Sequence, residues 1–121
     1  METEKFVEKL LNEGLELLSS EKKQKQKKGF ATLRAAFGLG SMTAAYYEGI
    51  CYKNGIGTYQ SDEQAFERFE MAADAVPKAM FELGLCYVHG IGTEQNLEKA
   101  FACFSDAAQS GLPEAQYELG V

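Results

Sequence analysis

Residues 79–114 read AMFELGLCYVHGIGTEQNLEKAFACFSDAAQSGLPE, and residues 44–78 read AAYYEGICYKNGIGTYQSDEQAFERFEMAADAVPK. Set against each other at an offset of 35, the two share a glycine (Gly49, Gly84) and then CYxxGIGT at 51–58 and 86–93. Ala-Phe, a second Phe and Ala-Ala follow in both. A further opening, AQYELGV, starts at Ala115. KGFATLRAAFGLGSMTA, from Lys28, matches the later half of the unit, with Gly29, Phe30, Leu33 and Ala36 on the periodic positions. Self-similarity at a fixed period of tens of residues marks a stacked array rather than a single irregular core.

Each unit reads as two helices. Ala79, Leu83 and Tyr87 fall at i, i+4 and i+8, one face of a 3.6-residue period. Gly84 omits a side chain inside that helix, at about 1 kcal/mol against Ala, so another helix is expected to approach there. Gly90 and Gly92 end the helix and supply positive φ. Asn96 and Ser61 stand at the N-cap of the second helix, and Ser61 with Gln64 is expected to form a capping box. The second helix packs through Ala100, Phe104, Ala107 and Ala108 and stops at Gly111. Pro77 and Pro113 open the helices that follow.

The expected fold is all-α, a right-handed solenoid of antiparallel helix pairs with about three repeats. It forms a single helical-repeat domain over 1–121: a degenerate N-terminal capping repeat at 1–43, repeats at 44–78 and 79–114, and the truncated start of another at 115–121. Phe6, Leu10, Leu11, Leu17 and Leu18 make the first segment an amphipathic helix, and Gly14 takes the repeat glycine's place, 35 before Gly49. The unpartnered last helix is expected to favour end-to-end self-association.

Charge divides along the chain. Of 121 residues with a net charge of −6, residues 1–40 carry eight Lys/Arg and six Asp/Glu, whereas residues 41–121 carry four and twelve. The basic excess lies in Lys22, Lys23, Lys25, Lys27 and Lys28. The acidic total argues against a general nucleic-acid binder. No stretch is long and apolar enough to insert in a membrane, and five Glu from Glu2 to Glu16 would be repelled by anionic lipid. No secretory signal is visible, so a cytoplasmic location is expected.

The pattern A-x3-L-G-x2-Y-x2-G-x-G, then a cap residue, Lys-Ala, an aromatic and A-A-x2-G, resembles the Sel-one-like repeat, a relative of the tetratricopeptide repeats. Ala79, Leu83, Gly84, Tyr87, Gly90, Gly92, Lys99, Ala100, Phe104, Ala107, Ala108 and Gly111 carry the likeness in one copy. Ala44, Gly49, Tyr52, Gly55, Gly57, Ala65, Phe69, Ala72 and Ala73 carry it in the copy before. Departures fall at Glu48, where the family has a buried Leu, and at Arg68 and Cys103, where it has a Trp-type residue. The resemblance implies a non-enzymatic protein–protein interaction scaffold or adaptor. Its alternatives are a structural segment of a larger protein, or a hydrolase acting on cell-wall or β-lactam substrates.

In such a solenoid the first helices line the concave face. Phe81, Leu85 and Val88 turn away from the Ala79/Leu83/Tyr87 face on a helical wheel. Their counterparts are Tyr46, Ile50 and Lys53 in one neighbour and Tyr117 and Val121 in the other. This predicts an apolar, aromatic stripe edged by Lys53, Asn54 and His89. It is either a groove for a protein or peptide partner or ordinary packing between helices, and the exposure of Phe81 and Leu85 distinguishes the two.

No enzymatic, cofactor or metal chemistry is expected. His89 is the single His and sits in a glycine loop with no partner for a triad or a metal set. The GIGT loops resemble phosphate cradles only superficially, because each follows a helix and lacks Gly-Lys-Ser/Thr. Cys51, Cys86 and Cys103 are expected to be free and mostly buried. Glu13 and Glu48 stand where an apolar residue belongs. They either stack and raise each other's pKa, or turn outward or pair with a cation such as Arg34. The Lys22–Lys28 run reads as the solvated start of a second helix, with a docking patch for an acidic partner or a nuclear-import signal as alternatives.

Overall fold

The structure, a computed structural model, describes residues 2–118, with side chains described through residue 115. Among these residues the chain forms seven helices and no strand: α1 (Glu2–Leu18), α2 (Lys23–Gly38), α3 (Met42–Asn54), α4 (Asp62–Ala72), α5 (Pro77–His89), α6 (Leu97–Gln109) and α7 (Pro113–Glu118). Contact follows chain order, so α1 pairs with α2, α3 with α4 and α5 with α6, and each second helix meets the next first helix. This is the all-α stack of helix pairs that the repeat predicts.

Within a pair, the repeat glycine sets the distance. A Cβ on Gly49 would lie 2.5 Å from Phe69 Cε1, and one on Gly84 would lie 2.6 Å from Phe104 Cε1. The aromatic ring of the second helix therefore occupies the space that a side chain on the first would need. In the α1/α2 pair, Gly14 faces the smaller Leu33, with its virtual Cβ 3.1 Å from Leu33 Cδ2. Interiors pack at crystal-like density, so neither ring has room for one more methyl group.

Between pairs, two contacts recur. Phe30 of α2 meets Tyr52 of α3 edge-on, with centroids 5.3 Å apart at 83°, and Phe66 of α4 meets Tyr87 of α5 at 5.6 Å and 83°. Beside each Tyr, a loop glycine presses on the previous second helix. Gly57 abuts the Gln26 carbonyl and Gly92 the Asp62 carbonyl, at φ of +74° and +71°. Both the approach and the left-handed backbone demand glycine. Backbone bonds close these loops in register: Ile56 N–H donates to Cys51 O at 3.0 Å and Ile91 N–H to Cys86 O at 2.9 Å.

The caps are in part as expected. Ser61 Oγ accepts from Gln64 N–H at 3.2 Å, and Asn96 Oδ1 accepts from Lys99 N–H at 3.0 Å. The reciprocal half of a capping box does not form. Ser61 N–H donates instead to Tyr52 O at 2.9 Å, and Asn96 N–H to Tyr87 O at 2.9 Å. The loop already satisfies the donor that Gln64 was expected to reach.

α1 departs from the later first helices on its outer side. Lys9, Glu13 and Glu16 are exposed where Ala44, Glu48 and Cys51 are buried one unit later. Its packed residues are Val7, Leu10, Leu11, Leu15 and Leu18, whereas Phe6, expected on the apolar face, is 55% exposed. The seam is shifted by one residue, and Phe6 falls off its edge.

Candidate functional site

The stripe expected on the first helices lies on α3 and α5. Tyr46, Ile50, Phe81, Leu85 and Val88 are each half-buried and rest against the core from one side. None is fully buried, and none points free into solvent. Phe81 packs its ring on Phe104 at 5.5 Å, and Tyr46 packs on Tyr47 at 4.9 Å and on Phe69 at 6.2 Å. These residues lie off the Ala79/Leu83/Tyr87 face, yet they still touch the core along their flanks. α3 and α5 each leave one face open, and the residues flanking it are held at half exposure.

Around Tyr46 and Phe81 the surface dips into a groove of about 220 Å³, completed by Lys78, Glu82, Leu112 and Glu114. Burial, then Glu82, Tyr47 and Glu114, raise the Tyr46 phenol above its ordinary pKa. Tyr46 is therefore a neutral hydroxyl in this groove at physiological pH.

The polar edge divides. Asn54 and His89 are exposed at the C-terminal ends of α3 and α5. Lys53, expected at the same edge, is held by Glu82 of the next unit, Nζ to Oε2 at 3.1 Å. It ties α3 to α5. Tyr117 lies in α7, and its side chain is outside the described residues, as is Val121.

Reactive chemistry is suppressed by burial. Cys51, Cys86 and Cys103 are buried and free. Burial, with Glu48 nearby, pushes the Cys51 thiol up to about 12, and burial, then Glu82, pushes Cys86 up to about 11. Thiols this far from ionisation are poor nucleophiles. Among the described residues, no group of three or more His, Cys, Asp and Glu is placed to hold a metal ion.

The carboxylates that resembled each other in sequence have opposite fates. Glu13 is exposed and Glu48 fully buried, so they do not stack. Glu48 Oε1 accepts from Arg68 Nε at 3.3 Å, whereas Oε2 lacks a hydrogen bond. Arg34 acts on it only through its field. Arg68 also lies over the Phe37 and Tyr52 rings at 5.3 and 5.8 Å. Sequence reasoning missed this pairing, although Glu48 and Arg68 both break the motif within one unit.

Comparison with known proteins bears on what this face belongs to. The profile of the Sel1 repeat matches residues 33–75, 77–112 and 113–121. The chain belongs to the Sel1 repeat family. Repeats of this family generally serve as protein–protein interaction scaffolds. No curated protein matches the chain in sequence.

Solved structures of similar fold include the following three. A Sel1 repeat protein from Oxalobacter formigenes is 28% identical, with a TM-score of 0.72 over 91% of this chain and 32% of its own. The protein c5321, a protective antigen present in uropathogenic Escherichia coli strains, is 24% identical, with a TM-score of 0.87 over 93% of this chain and 24% of its own. Cysteine rich protein B of Helicobacter pylori is 22% identical, with a TM-score of 0.74 over 94% and 92%. The last two show the fold alone. The chain spans about a third and a quarter of the first two proteins. No described helix is long and apolar enough to cross a membrane.

Proposed function

We propose that this chain is a non-enzymatic scaffold that binds a peptide or partner protein along the first-helix face of α3 and α5. One observation carries the reading. Half-exposed apolar side chains recur at equivalent places on consecutive helices, Tyr46 and Ile50 and then Phe81 and Leu85, beside a groove of about 220 Å³. First helices line the concave side of such solenoids, the side these extended proteins use for binding. Asn54 and His89 supply a polar rim, and Tyr117 is proposed to extend the stripe. Lys53 serves through its hold on Glu82. Buried free thiols support a reducing, cytoplasmic setting.

The test is selection from a displayed peptide library, with binders re-measured on two variants. Leu85→Glu is expected to lose about tenfold or more in affinity. Phe101→Glu, on the second-helix side, is expected to bind as the wild type. Equal losses in both variants would set this reading aside.

A second reading concerns self-association, and it has its own observation. Phe101 is 64% exposed and Leu97 62% exposed on α6, whereas Phe66, the counterpart of Phe101, lies under Tyr87. Two copies meeting through Leu97 and Phe101 would set these residues against each other. A head-to-tail contact would set these residues against Lys9, Glu13 and Glu16 of α1. Concentration-dependent dimerisation that Phe101→Asp abolishes supports this reading, and a strict monomer at high concentration removes it.

A further inference from the structure

The junction between α2 and α3 carries a second surface, of opposite chemistry to the rest of the chain. Because Gly57 abuts the Gln26 carbonyl, its loop lies on the first turns of α2. A cavity of about 230 Å³ opens there, lined by Lys23, Gln26 and Lys27 on one side and by Gly55, Thr58 and Tyr59 on the other. Lys23 and Lys27 are four residues apart on one helical face, and all five lysines of the Lys22–Lys28 run are exposed. Tyr59 is 68% exposed, yet its ring is held edge-on to Tyr52 at 5.7 Å. No carboxylate lines the cavity.

The next junction provides a control. There the same loop, with Gly92 on the Asp62 carbonyl, stands beside Asp62, Glu63 and Glu94, the counterparts of Gln26, Lys27 and Tyr59. Equal backbone geometry therefore carries opposite charge one unit later. The basic lining is a property of this junction and not of the repeat.

We infer that the Lys23/Lys27 cavity receives an acidic segment of a partner protein, one Asp or Glu side chain seated between the lysines with an apolar neighbour on Tyr59. The volume suits a single side chain and falls below the range of about 300–1,000 Å³ typical of small-molecule sites. A nucleic acid is the poorer fit. Beyond this patch, residues 41–121 hold twelve Asp/Glu against four Lys/Arg and repel an extended polyanion. The surface is separate from the Tyr46–Phe81 groove, so the two proposals stand or fall independently.

Fluorescence anisotropy of a labelled Glu-rich octapeptide with one central Tyr tests the inference. Lys23→Gln with Lys27→Gln is expected to weaken binding about tenfold, and Tyr59→Ala severalfold. Lys22→Gln with Lys25→Gln removes the same charge outside the cavity and is expected to leave affinity within about threefold. Four results would each overturn the inference. They are no binding to the wild type, equal losses in both lysine pairs, displacement by inorganic phosphate at equal concentration, and tighter binding of a single-stranded oligonucleotide of equal charge.

Discussion

Glu48 of α3 and Arg68 of α4 form a buried ion pair at 3.3 Å, in the places that Leu83 and Cys103 hold one unit later. One packing site is thus filled twice in the same molecule, once by charge and once by apolar atoms. Glu48 is 0% exposed, and its second oxygen has no hydrogen bond. Removing two charges from water is costly, and only a paired geometry offsets it. Arg68→Ala is therefore expected to destabilise the fold by about 3–5 kcal/mol, because it leaves Glu48 alone in the core. Glu48→Leu with Arg68→Cys, which copies the next unit, is expected to be neutral or stabilising by about 1–4 kcal/mol. Urea denaturation of the wild type, the single variant and the double variant checks both.

The same carboxylate sets a pH dependence. Burial raises the Glu48 pKa above 4.5, and the opposing pull of Arg68 does not cancel it. A carboxylate raised in the folded state binds its proton more tightly there than when unfolded. Its contribution is fully present below 4.5 and is lost as pH rises through the higher folded value. Glu48→Gln is therefore expected to flatten the fall in stability as pH rises above 4.5. Thermal melts across that window measure it, and an unchanged slope in the variant would exclude Glu48 as the source.

Gly84→Ala is expected to cost about 1–3 kcal/mol, since its Cβ would meet the Phe104 ring. Combined with Phe104→Leu, which copies the Gly14–Leu33 pair, the cost is expected to fall. A double-mutant cycle reads the coupling, and strict additivity would deny the contact.

The loop glycines divide by neighbour. A Cβ added at Gly90 (φ +67°) would meet nothing nearer than 3.5 Å, whereas one added at Gly92 (φ +71°) would run into the Asp62 carbonyl. Gly90→Ala carries only the left-handed backbone cost of about 1–2 kcal/mol. Gly92→Ala adds a clash between units and is expected to melt lower than Gly90→Ala.

Much of this was legible because a repeat states its rules more than once. Gly49 and Gly84, the CYxxGIGT loops, Ser61, Asn96, Pro77 and Pro113 mark helix ends or approaches through local chemistry, which sequence carries directly. The Glu48–Arg68 pair joins two helices across a turn, and no local period announces it. Its trace was that both members left the motif in one unit. Phe6 misled because a helix's apolar arc can be read one residue off until its neighbour fixes the seam. A helical wheel sets Tyr46 and Phe81 off the main buried face but does not say how far they are covered. Their half-burial depends on Phe69 and Phe104 reaching under the first helices, which a wheel for one helix omits.

NMR shift mapping of a library-selected peptide on isotope-labelled chain tests the binding proposal most directly. Perturbed amides are expected to cluster on α3 and α5 around Tyr46, Ile50, Phe81, Leu85 and Val88, with Asn54 and His89 at the rim. Shifts confined to α4 and α6, with α3 and α5 unmoved, would contradict it.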